Sequence, residues 1–183
     1  MLIDTHLPNF LHRGKVRDTY DLGNDHLLMV ATDRISAFDV VLPTGIPQKG
    51  LVLNRMSAFW FQHTQHLIPN HFLCLADSPD AATWSDDNGL LATVPPEVAC
   101  RAMIVKRAQR IDIECIVRGY ITGSAWAEYR REGTVSGQSM PAGLVEGALF
   151  PEPLFTPTTK AEEGHDQNMT TREVLDMVGV SLA

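Results

Sequence analysis

Two short apolar runs, "HLLMVAT" (26–32) and "AMIVKRA" (102–108), are rich in strand formers and bounded by turn residues, and each predicts a strand. The stretch "IDIECIVR" (111–118) alternates instead. It sets Ile111, Ile113, Cys115 and Val117 on one side and Asp112, Glu114, Ile116 and Arg118 on the other, which predicts a half-buried strand with charge on its second face. Between these, "LVLNRMSAFWFQHTQHLI" (51–68) places Leu53, Met56, Trp60 and Leu67 at helical spacing, so a helix packing by that stripe is expected. The segment "DSPDAATWSDDNGL" (77–90) is dense in Asp, Ser, Pro and Gly and reads as an exposed loop. Strands come first and helices later, with no internal repeat.

Further on, "RGYITGSAWAEYRREG" (118–133) predicts a helix with Ser124 as N-cap, an acid in its first turns, basic residues late and Gly133 as its stop. In "PEPLFTPTTKAEEGHDQ" (151–167), Pro151, Pro153 and Pro157 impose an extended path, with Leu154 and Phe155 as apolar anchors. That reads as a pinned surface loop, a place where binding groups are held at little entropic cost. The last segment opens with a capping box, Thr170 to Glu173, and carries Val174, Leu175 and Val178 on one helix face that little remaining chain could cover.

Composition changes the picture only in outline. A chain of 183 residues, 44% hydrophobic and 20% charged, suits an ordinary soluble globular protein of one domain or two small lobes. No run approaches the roughly 20 apolar residues of a membrane span, and "MLIDTHLPNF" is not a signal peptide, so a cytoplasmic location with no membrane partner is expected. Cys74, Cys100 and Cys115 form no CxxC pair and read as reduced core thiols. With no secretory signal, the acceptor-like "NMT" at Asn168 is set aside. His63, His66 and His71 lack metal-ligand spacing and read as solvated helix histidines. A net charge of −7 argues against general nucleic-acid binding, so any anion site must be local.

Four segments concentrate chemistry. "HRGKVRD" (12–18) arrays Arg13, Lys15 and Arg17 around Gly14, where backbone amides can approach an anion; a phosphate could sit there, and a solvated hairpin satisfies the same pattern. "ATDRISAFDV" (31–40) follows a strand with Asp33, Arg34, Ser36 and Asp39, either a recognition loop or a turn tied by its own Asp and Arg. A helix start at Ser124 with Arg118 nearby suits phosphate, though an ordinary capped helix has the same signature. Lys160 with Glu162, Glu163 and Asp166 suits a nucleotide's phosphates and their metal, or a self-satisfied salt-bridge cluster.

In order and spacing, "GKVRD", "ATDRISAFD", "IPQKG", "IECIVRGYITGS" and "PEPLFTPTTKAEEGHD" resemble the phosphoribosylaminoimidazole-succinocarboxamide synthase (SAICAR synthetase) family across nearly the whole chain. The resemblance implies an α+β fold, with a β-rich N-terminal lobe over 1–107 and the start of an ATP-grasp-like lobe over 108–183, and nucleotide in the cleft. It implies ATP-driven joining of L-aspartate to carboxyaminoimidazole ribonucleotide (CAIR), giving SAICAR, ADP and phosphate in purine biosynthesis. Asp33, Arg34 and Lys160 become candidate catalytic residues, and Lys15, Arg17, Lys106 and Glu114 candidates for the ATP site. Ser36, Arg118, Ser124 and Thr159 become candidates for substrate, and Asp166 for Mg²⁺. A homo-oligomer is compatible with this picture. Two departures stand out: Gln167 occupies a position where the family commonly has an acid, and the family's later "D-x-K-x-E-F-G" type motif does not occur. The second lobe is therefore expected to be incomplete, and the alternative reading is a catalytically impaired nucleotide- or ribonucleotide-binding fragment.

Overall fold

In the computed structural model, which describes residues 1–38, 40–84, 89–160 and 166–179, the chain divides into two units, Met1–Gln109 and Arg110–Ala183. The fold is α+β and the first unit is the β-rich one. Its elements are Phe10–Arg13 (β1), Arg17–Gly23 (β2), His26–Ala31 (β3), the short pair Ser36–Ala37 (β4) and Val40–Val41 (β5), the helix Lys49–Thr64 (α1), Phe72–Leu75 (β6), the short helix Pro96–Ala99 (α2) and Ala102–Lys106 (β7). Five strands form one antiparallel sheet in the order β1-β2-β3-β7-β6.

Alternation decides which face of that sheet is core. Tyr20 and Leu22 of β2, Leu28 and Val30 of β3, and Ala102 and Ile104 of β7 are fully buried and pack with Cys74, Ala81, Leu90 and Val98. Each large apolar side chain removed from water there contributes about 1.5 to 3 kcal/mol. Cys74 is a core thiol whose pKa burial pushes up, whereas Cys115 is exposed and Cys100 half-buried. The segment 77–90 does more than the expected loop: Pro79–Thr83 winds into a 3₁₀ turn that buries Ala81, and Leu90 is fully buried. Trp84 lies edge-on to His26 at 5.4 Å. A sheet face must be covered, and this polar segment supplies apolar residues at the positions that cover it.

The expected stripe on α1 is not what packs. Leu53, Met56, Trp60 and Leu67 are 45% to 73% exposed, and the buried residues are Gly50, Asn54 and Ala58. These lie four apart, on one side of the helix. A Cβ at Gly50 would stand 2.3 Å from the Ala31 carbonyl oxygen, so the helix backbone rests against the end of β3 and only small residues fit. Asn54 is tolerated because its amide donates to the Ala102 carbonyl at 3.2 Å. His71 lies beyond the helix, beside the Phe61 ring at 4.9 Å, and burial with the nearby Arg17 charge lowers its pKa; it is not a solvated helix histidine. None of the described helices is long and apolar enough to cross a membrane.

The second unit comprises Ile113–Glu114 (β8), Val117–Tyr120 (β9), Gly123–Glu132 (α3), Thr134–Val135 (β10), Gln138–Ser139 (β11), Leu149–Phe155 (β12), Thr158–Thr159 (β13) and Thr171–Val178 (α4). The alternating stretch 111–118 is therefore two strands rather than one. β8 pairs with β13 and β9 with β12, and Ile111, Cys115 and Val117 of the expected buried face are exposed. The proline-rich stretch runs extended as expected, but through Phe155 it is strand β12 paired with β9 rather than a surface loop, with an irregular register between Leu149 and Leu154. Ile121, Ala125, Val135 and Phe150 form the core of this unit. Gly133 ends α3 at φ 72°, and the expected capping box at Thr170 and Glu173 starts α4.

Glu128 of α3 is buried and holds this unit's hairpin. Its oxygens accept from the Thr134 hydroxyl (2.9 Å), the amides of Ser136 (3.0 Å) and Gly137 (3.1 Å), and the Asn168 side chain (3.4 Å). Burial pulls its pKa up, but these donors and the Arg131 charge outweigh that and hold it low. Glu128→Gln sets an NH₂ against donors and is expected to cost about 2 kcal/mol, read as faster hydrogen exchange at Ser136 and Gly137.

Candidate functional site

The turn between β1 and β2 carries Gly14, Lys15 and Val16, closed by the Gly14 amide donating to the Arg17 carbonyl at 2.8 Å. Lys15 and Arg17 are exposed there. Behind the turn lies Arg34, 5% exposed, and all five of its N–H groups are engaged within the protein. Nε donates to the Lys15 carbonyl (3.2 Å), and Nη2 to the Gly14 carbonyl (3.0 Å) and Asp18 Oδ1 (2.7 Å). Nη1 donates to the Ile3 carbonyl (2.5 Å) and Asp18 Oδ2 (3.5 Å). No donor remains for a substrate, so a direct catalytic contact by Arg34 does not fit this geometry. Asp18 is fully buried and also accepts from the Thr5 hydroxyl at 2.6 Å. Thr5 spends its single proton there, so Tyr20 donates to Thr5 across 2.6 Å. Burial raises the Asp18 pKa, but the bonds from Arg34 and Thr5 and the charges of Arg34 and Arg13 prevail and lower it.

Asp33, the next residue back, is equally enclosed. Its carboxylate accepts from the amides of Leu2 (2.8 Å) and Gly50 (3.0 Å) and from Arg101 (2.8 Å). Burial is again outweighed by these donors, and its pKa is low. Through Gly50 it supplies the negative charge that the start of α1 lacks from its own cap. Asp33 and Arg34 therefore pair with Arg101 and Asp18, not with each other. Ser36 stands half-buried in β4, and Asp39 lies outside the described residues.

Sequence reasoning missed Lys49. It sits in "IPQKG", whose Lys-Gly pair was the available signal: the glycine lets the helix approach β3, and the lysine then reaches back to the carbonyls of Thr32 (3.2 Å) and Arg34 (2.6 Å). Burial lowers its pKa, Asp33 opposes that, and the charges of Arg34 and Arg17 lower it further. Lys49 and Arg17 line a cavity of about 220 Å³ with Met29, Met103, Leu53 and Asn54. Two cations over an apolar floor suit a ligand that combines an anionic group with an apolar part.

In the second unit, Arg118 and Ser124 are brought together. Arg118 Nη2 donates to Ser124 Oγ at 3.2 Å, and Nε to Thr156 Oγ1 at 3.1 Å. Ser124 is not the N-cap: Thr122 holds that position with no side-chain bond to the helix amides, and the first turn carries no acid. A guanidinium is thus braced at an uncapped helix start. Lys160 and Glu114 are also brought together, as an ion pair of 2.7 Å on the surface. Thr159 is paired with Ile113, and its hydroxyl accepts from the Gln167 amide at 2.9 Å. Lys106 is exposed at the end of β7, in the first unit. Asp166 is exposed, Glu162 and Glu163 lie outside the described residues, and no group of three His, Cys, Asp or Glu among the described residues could hold a metal ion. The described side chains alone do not fit a Mg²⁺ cage.

Residues 10–182 match the family model described as SAICAR synthetase. The chain belongs to the SAICAR synthetase family. It is 45% identical over its full length to a phosphoribosylaminoimidazole-succinocarboxamide synthase of Thermodesulfovibrio yellowstonii, of which it covers 61%. A namesake from Salinispora arenicola is 49% identical over 94% of this chain and 57% of that one. Among solved structures, SAICAR-synthase from Saccharomyces cerevisiae complexed with SAICAR superposes with a TM-score of 0.81 at 39% identity, covering 98% of this chain and 59% of that one. The chain therefore spans about three fifths of the length of the SAICAR synthetases it matches. The motifs that carried the resemblance divide between the units: "GKVRD", "ATDRISAFD" and "IPQKG" fall in the first, "IECIVRGYITGS" and "PEPLFTPTTKAEEGHD" in the second.

Proposed function

We propose that this SAICAR synthetase family member serves the ATP-dependent ligation of L-aspartate to CAIR, in the cytoplasm. The observation that carries the reading is the Arg118 guanidinium, braced by Ser124 and Thr156 at the uncapped start of α3. A helix N-terminus and a guanidinium together suit the phosphate of a ribonucleotide. The SAICAR bound to the yeast relative contains such a phosphate.

The chemistry needs activation because a carboxylate would have to expel oxide. Its oxygen attacks the γ-phosphorus of ATP, ADP leaves, and the aspartate amine then attacks the acyl carbon while phosphate departs. The reactants and ATP are all anionic, so local cations must gather them against the net charge of −7. Lys15 and Arg17 take phosphates of ATP, Lys49 lines one cavity with Arg17, and Lys106 in the first unit and Glu114 in the second are each further candidates for nucleotide contact. Ser36, Thr159 and Lys160 meet substrate, Lys160 by exchanging its Glu114 partner for an incoming anion. Asp33 and Arg34 act by holding the loop in place. Mg²⁺, expected with ATP, would be held by the nucleotide's own phosphates, since the described side chains form no cage for it.

Incubation with ATP, Mg²⁺, CAIR and L-aspartate should yield ADP and SAICAR in equal amounts, only when all are present. ADP formed at the same rate without CAIR would contradict the ligase reading. Arg118→Ala should weaken CAIR binding by about 1.5 to 3 kcal/mol and leave ADP binding unchanged in calorimetry. Equal loss of both ligands would remove Arg118 from the ribonucleotide site.

A further inference from the structure

Three consecutive carbonyls at the β1–β2 turn are held from behind. Arg34 takes those of Gly14 (3.0 Å) and Lys15 (3.2 Å), and Thr32 takes that of Val16 through its amide (3.0 Å) and its hydroxyl (2.9 Å). A trans peptide directs its N–H opposite to its C=O. The amides that follow the two arginine-held carbonyls, those of Lys15 and Val16, are therefore turned to the other side of the turn. Successive amides pointing one way form a concavity that attracts anions.

We propose that Arg34 is a positioning residue for an anion site at this turn, setting the direction of the Lys15 and Val16 amides without touching the ligand. The ligand class, a nucleoside di- or triphosphate, rests on the function proposed above. Arginine suits the task because one rigid fork spans two peptide carbonyls, the Ile3 carbonyl and Asp18 at once. Lysine keeps the charge for Asp18 but has three donors at a single point and cannot span that set. Arg34 also begins the loop leading to Ser36, and Lys49 holds its carbonyl, so the turn and that loop are oriented together.

The test uses ADP and inorganic pyrophosphate as probes, titrated calorimetrically into the wild type, Arg34→Lys and Lys15→Ala, well below their unfolding temperatures. Arg34→Lys should bind both probes about tenfold more weakly, as expected when amides lose their alignment with an anion. A residue that merely stabilises the fold would leave affinity in the folded protein unchanged. In the wild type, pyrophosphate should shift the Lys15 and Val16 amide resonances; a titration that binds and moves neither overturns the proposal, whether or not Arg34→Lys folds. Weakening in Lys15→Ala but not in folded Arg34→Lys removes the positioning role and spares the nucleotide reading. Failure of the wild type to bind either probe removes both.

Discussion

Asp18→Asn should lower the stability of the Met1–Gln109 unit by about 3 to 5 kcal/mol, measured by urea unfolding at neutral pH. The substitution changes almost no volume. It removes the close, fully buried counter-charge of the Arg34 guanidinium, 5% exposed, at 2.7 Å and leaves it only the half-exposed Asp4 at 3.6 Å, while Arg13 loses a partner at 3.3 Å. A buried pair gives little net stabilisation over an apolar replacement, but breaking one side of it leaves a charge that water cannot reach. The pH dependence follows from the same residues. Asp18, Asp33 and Glu128 have pKa values lowered in the folded state, so the unfolded chain binds more protons in acid. Their stabilisation is complete above the ordinary carboxylate range near pH 4 and drains away as pH falls through the folded values. Wild-type stability should therefore drop steeply below about pH 4, and Asp18→Asn should flatten that slope. An unchanged slope would mean that Asp18 does not supply it.

Gly50→Ala should cost about 3 kcal/mol, although alanine is the better helix former. The new Cβ would lie 2.3 Å from the Ala31 oxygen and 2.8 Å from its carbon, both backbone atoms that cannot rotate away. Relief requires α1 to lift from β3. That motion pulls the Gly50 amide from Asp33 and the Lys49 ammonium from the Thr32 and Arg34 carbonyls. The expected results are a lower unfolding temperature and faster exchange at the start of α1. A stability gain of the usual helix-propensity size would show that the close approach is not a constraint.

These two positions mark the boundary of what could be read locally. Strands β3 and β7 are legible because a buried sheet demands short, bounded runs of apolar strand formers from the residues themselves. The stop at Gly133 and the box at Thr170 and Glu173 are legible for the same kind of reason, since a cap is satisfied by residues within one turn. The motifs that mark the family are contiguous strings and needed no fold to be seen.

What failed were inferences about which face packs. Hydropathy pointed to Leu53, Met56 and Trp60 on α1, but the tight contact belongs to Gly50, Asn54 and Ala58, because a backbone seated on a strand selects for small size rather than apolarity. Alternation over 111–118 suggested one strand, and pairing with two different partners divided it. The roles of Asp33 and Arg34 were furthest from reach. Adjacent in sequence and charged like a recognition loop, they are buried and turned to different partners: Arg101 for one, Asp18 with the Gly14 and Lys15 carbonyls for the other. By its own residue types the sequence determined strands β3 and β7, the stop at Gly133, the capping box of α4 and the family. Only the tertiary structure decided which charges face solvent and which are consumed inside, because a side chain's free donors depend on partners brought near by folding, and those partners lie 16 to 68 positions away.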